Sequence, residues 1–144
     1  MPRESVVDAL NVIYRALRRG GVILDVHPLA APCPLELRSA DSSTTLIGQT
    51  EYSAEFSHTI ALAEQSLTQQ EVEGRLTNEQ HTDFPTVHHF ATADSWARFR
   101  AKNAQDFVPV SEDLVANVGQ ALTGPDTVLL MTEPARATRY HAKP

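Results

Sequence analysis

An aspartate and a histidine stand two positions apart in the short apolar sequence VILDVHP. Residues i and i+2 of a β-strand point to the same face, so Asp25 and His27 are expected to lie side by side. A partly buried aspartate needs a partner, and a histidine changes charge near neutral pH and can act as a general base. We therefore predict an Asp25–His27 pair on the substrate side of a site. The alternative is that His27 and Pro28 only end the strand, with the imidazole bonded to loop backbone.

Three further histidines, His81, His88 and His89, raise the question of a metal site. Adjacent residues of a strand point to opposite faces, so His88 and His89 do not share one ion. Pro85 interrupts the register between His81 and His89. The sequence also lacks the Cys-x-x-Cys and His-Glu-x-x-His spacings of common metal sites. We expect no metal to bind.

The one cysteine, Cys33, lies between two prolines. It has neither a glycine elbow nor a partnered histidine nearby, and no serine stands in a Gly-x-Ser-x-Gly context. We expect an inert loop thiol. A lone cysteine also excludes an internal disulfide and fits a reducing cytoplasm.

Composition limits the classes of protein to consider. The chain has 144 residues, which suits a single domain over residues 1–144. Its net charge of −6 argues against a nucleic-acid surface, which needs a basic stripe. No segment approaches the ~20 apolar residues of a membrane span. We expect a cytoplasmic protein that binds neither nucleic acid nor membrane.

The elements that position Asp25 and His27 can be predicted from local patterns. Apolar residues recur at helical spacing over residues 5–19, and Gly20 and Gly21 then supply a stop with positive φ. The run VILDV, residues 22–26, is typical of a strand. Because four of its five residues are apolar, it indicates a strand that is covered on both faces, as in a parallel sheet.

The remaining pattern alternates helices and strands. Residues 29–49 read as a loop in which LEL and TLIG form a short hairpin. A helix follows over residues 50–73, and then a strand with a break at Pro85. Two further helices are predicted, the first capped by Thr92 or Asp94 and the second by Ser111, and a final strand continues past Pro134. Four aromatic residues at helical spacing are predicted to be core, with a pocket lining as the alternative: Tyr52, Phe56, Trp96 and Phe99.

The sequence LRRGG, followed by a hydrophobic strand, resembles the Leu-Arg-Pro-Gly-Gly region of class I S-adenosylmethionine-dependent methyltransferases. In that family the motif links the helix after strand four to strand five. Arg19 stands where the family often has proline. The resemblance covers nearly the whole chain but only the C-terminal half of the family fold. It implies an α/β fold, a partial Rossmann-like methyltransferase sheet whose strands correspond to strands five, six and seven, with flanking helices.

The part of the family fold that binds the cofactor has no counterpart here. The family holds S-adenosylmethionine with a Gly-x-Gly-x-Gly loop after strand one, and none of the six glycines of this chain falls in that pattern. We therefore expect no cofactor-binding residue and no S-adenosylmethionine bound by the chain alone. Methyl transfer to an unknown acceptor is expected only if an N-terminal half is supplied by upstream sequence or a separate chain. The resemblance then places His27, the loop 32–48 and the helix of Tyr52 on the substrate side, with the catalytic residue unknown.

Without a counterpart of strand four, the strand at residues 22–26 is predicted to have an open edge. Open apolar edges pair with something or aggregate. We expect a second copy of the chain, a partner carrying the missing half, or a rearranged first helix to cover it. Three interpretations remain: half of an enzyme, a non-catalytic dimerising or ligand-binding remnant, and a small α+β domain whose likeness to the family is accidental. An antiparallel meander around residues 22–26 would favour the third.

Overall fold

A computed structural model describes residues 3–17 and 20–143 of the chain. Within these ranges the chain is α/β, with four helices and five strands. None of these helices is long and apolar enough to span a membrane. In chain order the elements are α1 (Arg3–Ala16), β1 (Val22–Pro28), β2 (Cys33–Arg38), β3 (Thr44–Thr50), α2 (Ala54–Val72), β4 (Leu76–Phe90), α3 (Ala93–Lys102), α4 (Glu112–Ala121) and β5 (Val128–Ala142).

The five strands form one antiparallel sheet. Its strand order is β1-β5-β2-β3, and β4 also pairs with β5. β1 runs antiparallel to β5, with Val22 opposite His141 and Pro28 opposite Ala135. The prediction of a parallel sheet is therefore wrong.

The alternating burial of β1 explains why the apolar run was misleading. One face of this strand is partly buried, whereas Val22, Leu24 and Val26 on the other face are 44%, 67% and 56% exposed. In the described part of the chain β1 has only β5 as a hydrogen-bonded neighbour. The prediction of an open edge at residues 22–26 is confirmed, whereas the prediction that both faces are covered is wrong.

The chain divides into two compact units. The first comprises the described residues of Met1–Leu29, Ser57–Phe84 and Ala135–Pro144, and the second comprises Ala30–Phe56 and Pro85–Pro134. Helix α2 and the long strands β4 and β5 contribute residues to both. That residues 1–144 form a single domain stays a prediction.

The first unit has a small core at which α1, α2 and the strands meet. Its buried members are Leu67, Leu76, Tyr140 and Ala142, and apolar side chains of α1 pack against them. Tyr14 of α1 donates a hydrogen bond from its hydroxyl to a backbone carbonyl that follows α2. Two glycine turns with positive φ delimit these helices as predicted, Gly20 (74°) before β1 and Gly74 (72°) after α2. Arg18 and Arg19 of the LRRGG motif lie outside the described residues.

The second unit has the larger core and two capped helices. The Thr92 side chain accepts a hydrogen bond from the backbone of Ser95, whose hydroxyl in turn pairs with the backbone of Thr92, so a capping box begins α3. Ser111 caps α4, because its side chain accepts a hydrogen bond from the backbone N–H of Leu114. Both caps confirm the predictions. The buried core comprises Cys33, Leu35, Tyr52, Phe90, Trp96, Val118, Leu122, Leu129 and Met131.

Three local predictions need correction. Residues 29–49 are mostly the hairpin β2–β3 rather than loop, although its register, with Leu35 opposite Gly48 and Leu37 opposite Thr45, is the one expected for LEL against TLIG. Helix α2 begins at Ala54, so Tyr52 precedes it and instead forms an isolated bridge with Phe107. Strand β4 continues through Pro85 without a break.

Candidate functional site

The predicted Asp25–His27 pair is present in the first unit. Both residues are on the partly buried face of β1, and the His27 Nδ1 lies 2.7 Å from the Asp25 Oδ2. The other ring nitrogen, Nε2, lies 3.1 Å from the Oε1 of Glu64 on α2. The His27 side chain is 16% exposed, whereas that of Glu64 is 44% exposed. The imidazole is therefore held between two carboxylates at the end of the strand.

The chemistry of this arrangement follows from the donors it requires. An ionised carboxylate only accepts hydrogen bonds, so a neutral imidazole, with one N–H group, donates to one of the two carboxylates, and an imidazolium, with two, donates to both. A base needs a ring nitrogen with a free lone pair. His27 can therefore act as a base only in its neutral form and with Glu64 away from Nε2. As it stands, the arrangement holds the imidazole in place between Asp25 and Glu64.

A second ion pair lies on the strand next to His27. Arg136 is opposite His27 in the β1–β5 register. Its guanidinium donates from Nε and Nη2 to the two carboxylate oxygens of Asp83, over 2.6 and 2.9 Å. These hydrogen bonds lower the pKa of Asp83 and raise that of Arg136. Arg136 thus forms a two-bond ion pair with Asp83 directly beside His27.

The second unit contains a hydrogen-bonded network that the sequence did not predict. Glu133 of β5 accepts a hydrogen bond from the hydroxyl of Tyr52, and its other carboxylate oxygen lies 2.9 Å from the Nε2 of His88. The Tyr52 ring stacks on Phe107 at 4.9 Å between centroids, and the His88 ring tilts against Phe99 at 5.2 Å. The carboxylate thus joins two aromatic donors that are fixed by packing.

Burial keeps the Tyr52 hydroxyl of this network protonated. It raises the pKa of this hydroxyl far above its ordinary value, and the hydrogen bond to Glu133 raises it further. The hydroxyl therefore remains a donor to Glu133. Tyr52 is only 7% exposed, so this hydrogen bond is buried in the second unit.

Comparisons with protein-family models, with curated proteins and with solved structures found no match. The interpretation of both clusters therefore depends on their own geometry.

The structure separates the three predicted site residues. Asp25 and His27 are hydrogen-bonded to each other in the first unit, whereas Tyr52 belongs to the core of the second. Their substrate-side role stays a prediction. Sequence reasoning missed Glu64 and Glu133. For Glu133 a signal existed, because it is a lone carboxylate within the apolar strand LLMTEPA. For Glu64, nothing in the sequence of α2 links it to His27.

His88 and His89 are adjacent residues of strand β4 and differ in burial, as expected when neighbouring side chains point to opposite faces. His88 is half-buried against Glu133, and the next residue, His89, is exposed. Among the described side chains of residues 8–17 and 20–143, no group of three or more from histidine, cysteine, aspartate and glutamate is arranged to hold a metal ion.

Cys33 is expected to be unreactive in the folded protein. It is fully buried at the start of β2 rather than in a loop, and burial, with the charge of Glu133 second, raises the pKa of its thiol to about 11. Compared with an ordinary thiol, this lowers the thiolate fraction at pH 8 by about a hundredfold. We expect modification by iodoacetamide at pH 8 to be at least that much slower in buffer than in denaturing urea. Equal rates would show that the thiol is accessible in the native state.

Proposed function

We propose that this chain is the C-terminal part of a class I methyltransferase-like protein, and that its activity requires a further strand along the open edge of β1. The observation that carries the proposal is the state of this strand. In the described part of the chain β1 is hydrogen-bonded on one side only. Its outer face exposes Val22, Leu24 and Val26. A free ladder edge beside an uncovered apolar face is a surface that another polypeptide normally covers.

The family resemblance supplies the identity of that polypeptide. In the family, strand four flanks the strand that matches β1, and it belongs to the half that binds S-adenosylmethionine. A strand added to β1 would satisfy the free N–H and C=O groups, and side chains that accompany it would cover the outer apolar face. The placement of Gly20 two residues before the start of β1, with φ at 74°, supports the correspondence with the motif that precedes strand five.

The Asp25–His27 pair supports a substrate-side role in the completed protein. It lies at the C-terminal end of β1, on the face opposite the exposed apolar row. Once the missing half is in place, His27 would orient or deprotonate a methyl acceptor after Glu64 leaves its Nε2. A cytoplasmic location is part of this proposal.

The second candidate is an assembly module that transfers nothing. The antiparallel pairing of β1 with β5 departs from the parallel arrangement expected of the enzyme half. It supports this candidate and equally the third interpretation, a small α+β domain whose likeness to the family is accidental. In the assembly module a second copy of the chain covers the outer face of β1. Both candidates require that the open edge of β1 is covered, and only the enzyme is expected to bind S-adenosylmethionine once it is completed.

Titration calorimetry with S-adenosylmethionine tests the proposal in two arms. The isolated chain is expected to give no binding heat, because it lacks the Gly-x-Gly-x-Gly loop. The same chain, co-expressed with a polypeptide that supplies the N-terminal half with its Gly-x-Gly-x-Gly loop, is expected to bind with micromolar affinity. Micromolar binding by the isolated chain would contradict both candidates, because the cofactor grip would then be in this chain. Silence in both arms would contradict the enzyme and leave the assembly module.

A further inference from the structure

The second unit contains a cavity of about 380 Å³ that neither cluster described above uses. Its size is within the range of small-molecule sites, about 300–1,000 Å³. Helix α3 and the segment that follows it form one wall, and β2 and β5 contribute the floor. The walls are mostly apolar, and the large side chains among them are Leu35, Trp96, Phe99, Phe107, Val110 and Met131.

One cation lines this apolar cavity. The guanidinium of Arg100 lies over the ring of Trp96, with its central carbon 4.4 Å from the ring centroid. Its Nε is buried and has no hydrogen-bond partner. Among the side chains that the structure describes, those of residues 8–17 and 20–143, no carboxylate forms an ion pair with Arg100 within 4.0 Å. Six other arginine and histidine side chains do have a carboxylate within that distance. A buried polar group without a partner is uncommon and calls for a ligand or another explanation.

The geometry of the stacked guanidinium defines the ligand it fits. Stacking on an aromatic face uses the plane of the guanidinium and leaves its N–H groups pointing outward in that plane. Two parallel N–H groups match the two oxygens of a carboxylate. The apolar wall beside Arg100 suits a hydrocarbon or aromatic body attached to that carboxylate. We propose that this cavity binds a small carboxylic acid with an apolar body, and that Arg100 anchors its carboxylate.

Trp96 provides a direct reporter of this site. It is the only tryptophan of the chain, and it lines the cavity beneath Arg100. A carboxylate that binds Arg100 changes the charge next to the indole, so it changes the indole emission. Titration with 3-phenylpropionate is expected to give a saturable change in tryptophan fluorescence excited at about 295 nm, where the ligand does not absorb. The uncharged analogue 3-phenylpropanamide is expected to bind at least about tenfold more weakly, because it cannot form the charged bidentate contact.

Three substitutions separate the role of Arg100 as an anchor from a general effect of charge. Arg100→Met keeps an apolar stem over Trp96 and removes the guanidinium, so the affinity for 3-phenylpropionate is expected to fall at least about tenfold. Arg98→Met removes an equal charge from an exposed position of the same helix that does not line the cavity, and we expect no change. Arg100→Lys keeps the charge but loses the fork, so it is expected to bind more weakly than the wild type.

Several results would overturn the assignment. They are the absence of a saturable response, equal affinity for the acid and the amide, an unchanged affinity in Arg100→Met, and an equal loss in Arg98→Met. Circular dichroism of each variant establishes that it is folded. If Arg100→Met does not fold, Arg100→Lys decides: weaker binding of the acid with unchanged binding of the amide supports the anchor, and unchanged binding of the acid overturns it.

Discussion

Replacing Glu133 by alanine is expected to lower the free energy of unfolding by about 2–4 kcal/mol. Glu133 is the shared acceptor of the Tyr52 hydroxyl and the His88 ring, and its own side chain is 19% exposed. Without the carboxylate, the buried hydroxyl of Tyr52 has lost its acceptor, and a group left unsatisfied in this way costs more than an average hydrogen bond is worth. Urea unfolding followed by circular dichroism at pH 7 measures the difference.

A matched glutamate provides the control for this loss. Glu51 is exposed and accepts a single hydrogen bond from the side chain of Gln49. Glu51→Ala is therefore expected to change the free energy of unfolding by no more than about 0.5 kcal/mol.

A double-mutant cycle isolates the contact between the tyrosine and the glutamate. In a Tyr52→Phe background the hydroxyl is already absent, so Glu133→Ala should cost less than it does in the wild type. If the cost is the same in both backgrounds, Tyr52 and Glu133 are not coupled, and the proposed role of this network in the second unit is wrong.

The parts of the fold that could be predicted from the sequence depend on short-range physics. Thr92 and Ser111 cap helices because their side chains reach backbone N–H groups three residues away. Asp25 and His27 share a face because the side chains of a strand alternate. Each of these relations is contained within a few neighbouring residues, so the local pattern was sufficient.

The direction of the sheet could not be predicted in the same way. A run such as VILDV indicates a strand, but its neighbour is chosen by the rest of the chain, and here β1 pairs with the last strand. The apolar composition of β1 is typical of a strand that is buried in a parallel sheet. Here the strand lies in an antiparallel sheet, and its residues Val22, Leu24 and Val26 are exposed. Composition alone therefore did not determine whether this strand was covered.

Two of the site residues that were missed are joined to their partners over long separations in the chain. Glu64 is 37 residues from His27, and Glu133 is 45 residues from His88 and 81 from Tyr52. Arg100 differs, because Trp96 precedes it by four residues on the same helix and the stacking is therefore local. What the sequence could not predict is that its Nε is buried without a hydrogen-bond partner.

The open edge of β1 leads to the second large expected effect. In the isolated chain this open edge is expected to pair with a second copy, so the chain should self-associate as its concentration rises. Leu24 is at the centre of the exposed row, and a lysine there would place a charge in the interface. We expect Leu24→Lys to weaken self-association at least about tenfold, measured by light scattering after size exclusion over a range of concentrations.

Leu46 makes this experiment specific to β1. It is 65% exposed against 67% for Leu24, and it lies on β3, the strand at the other end of the β1-β5-β2-β3 order. Leu46→Lys therefore adds the same charge to a comparable edge strand, yet β3 exposes two threonines before this leucine rather than an apolar row. We expect its self-association to match that of the wild type. A wild-type chain that stays monomeric at every concentration, or an equal effect of the two lysines, would show that β1 needs no partner and would remove the main support for both proposed functions.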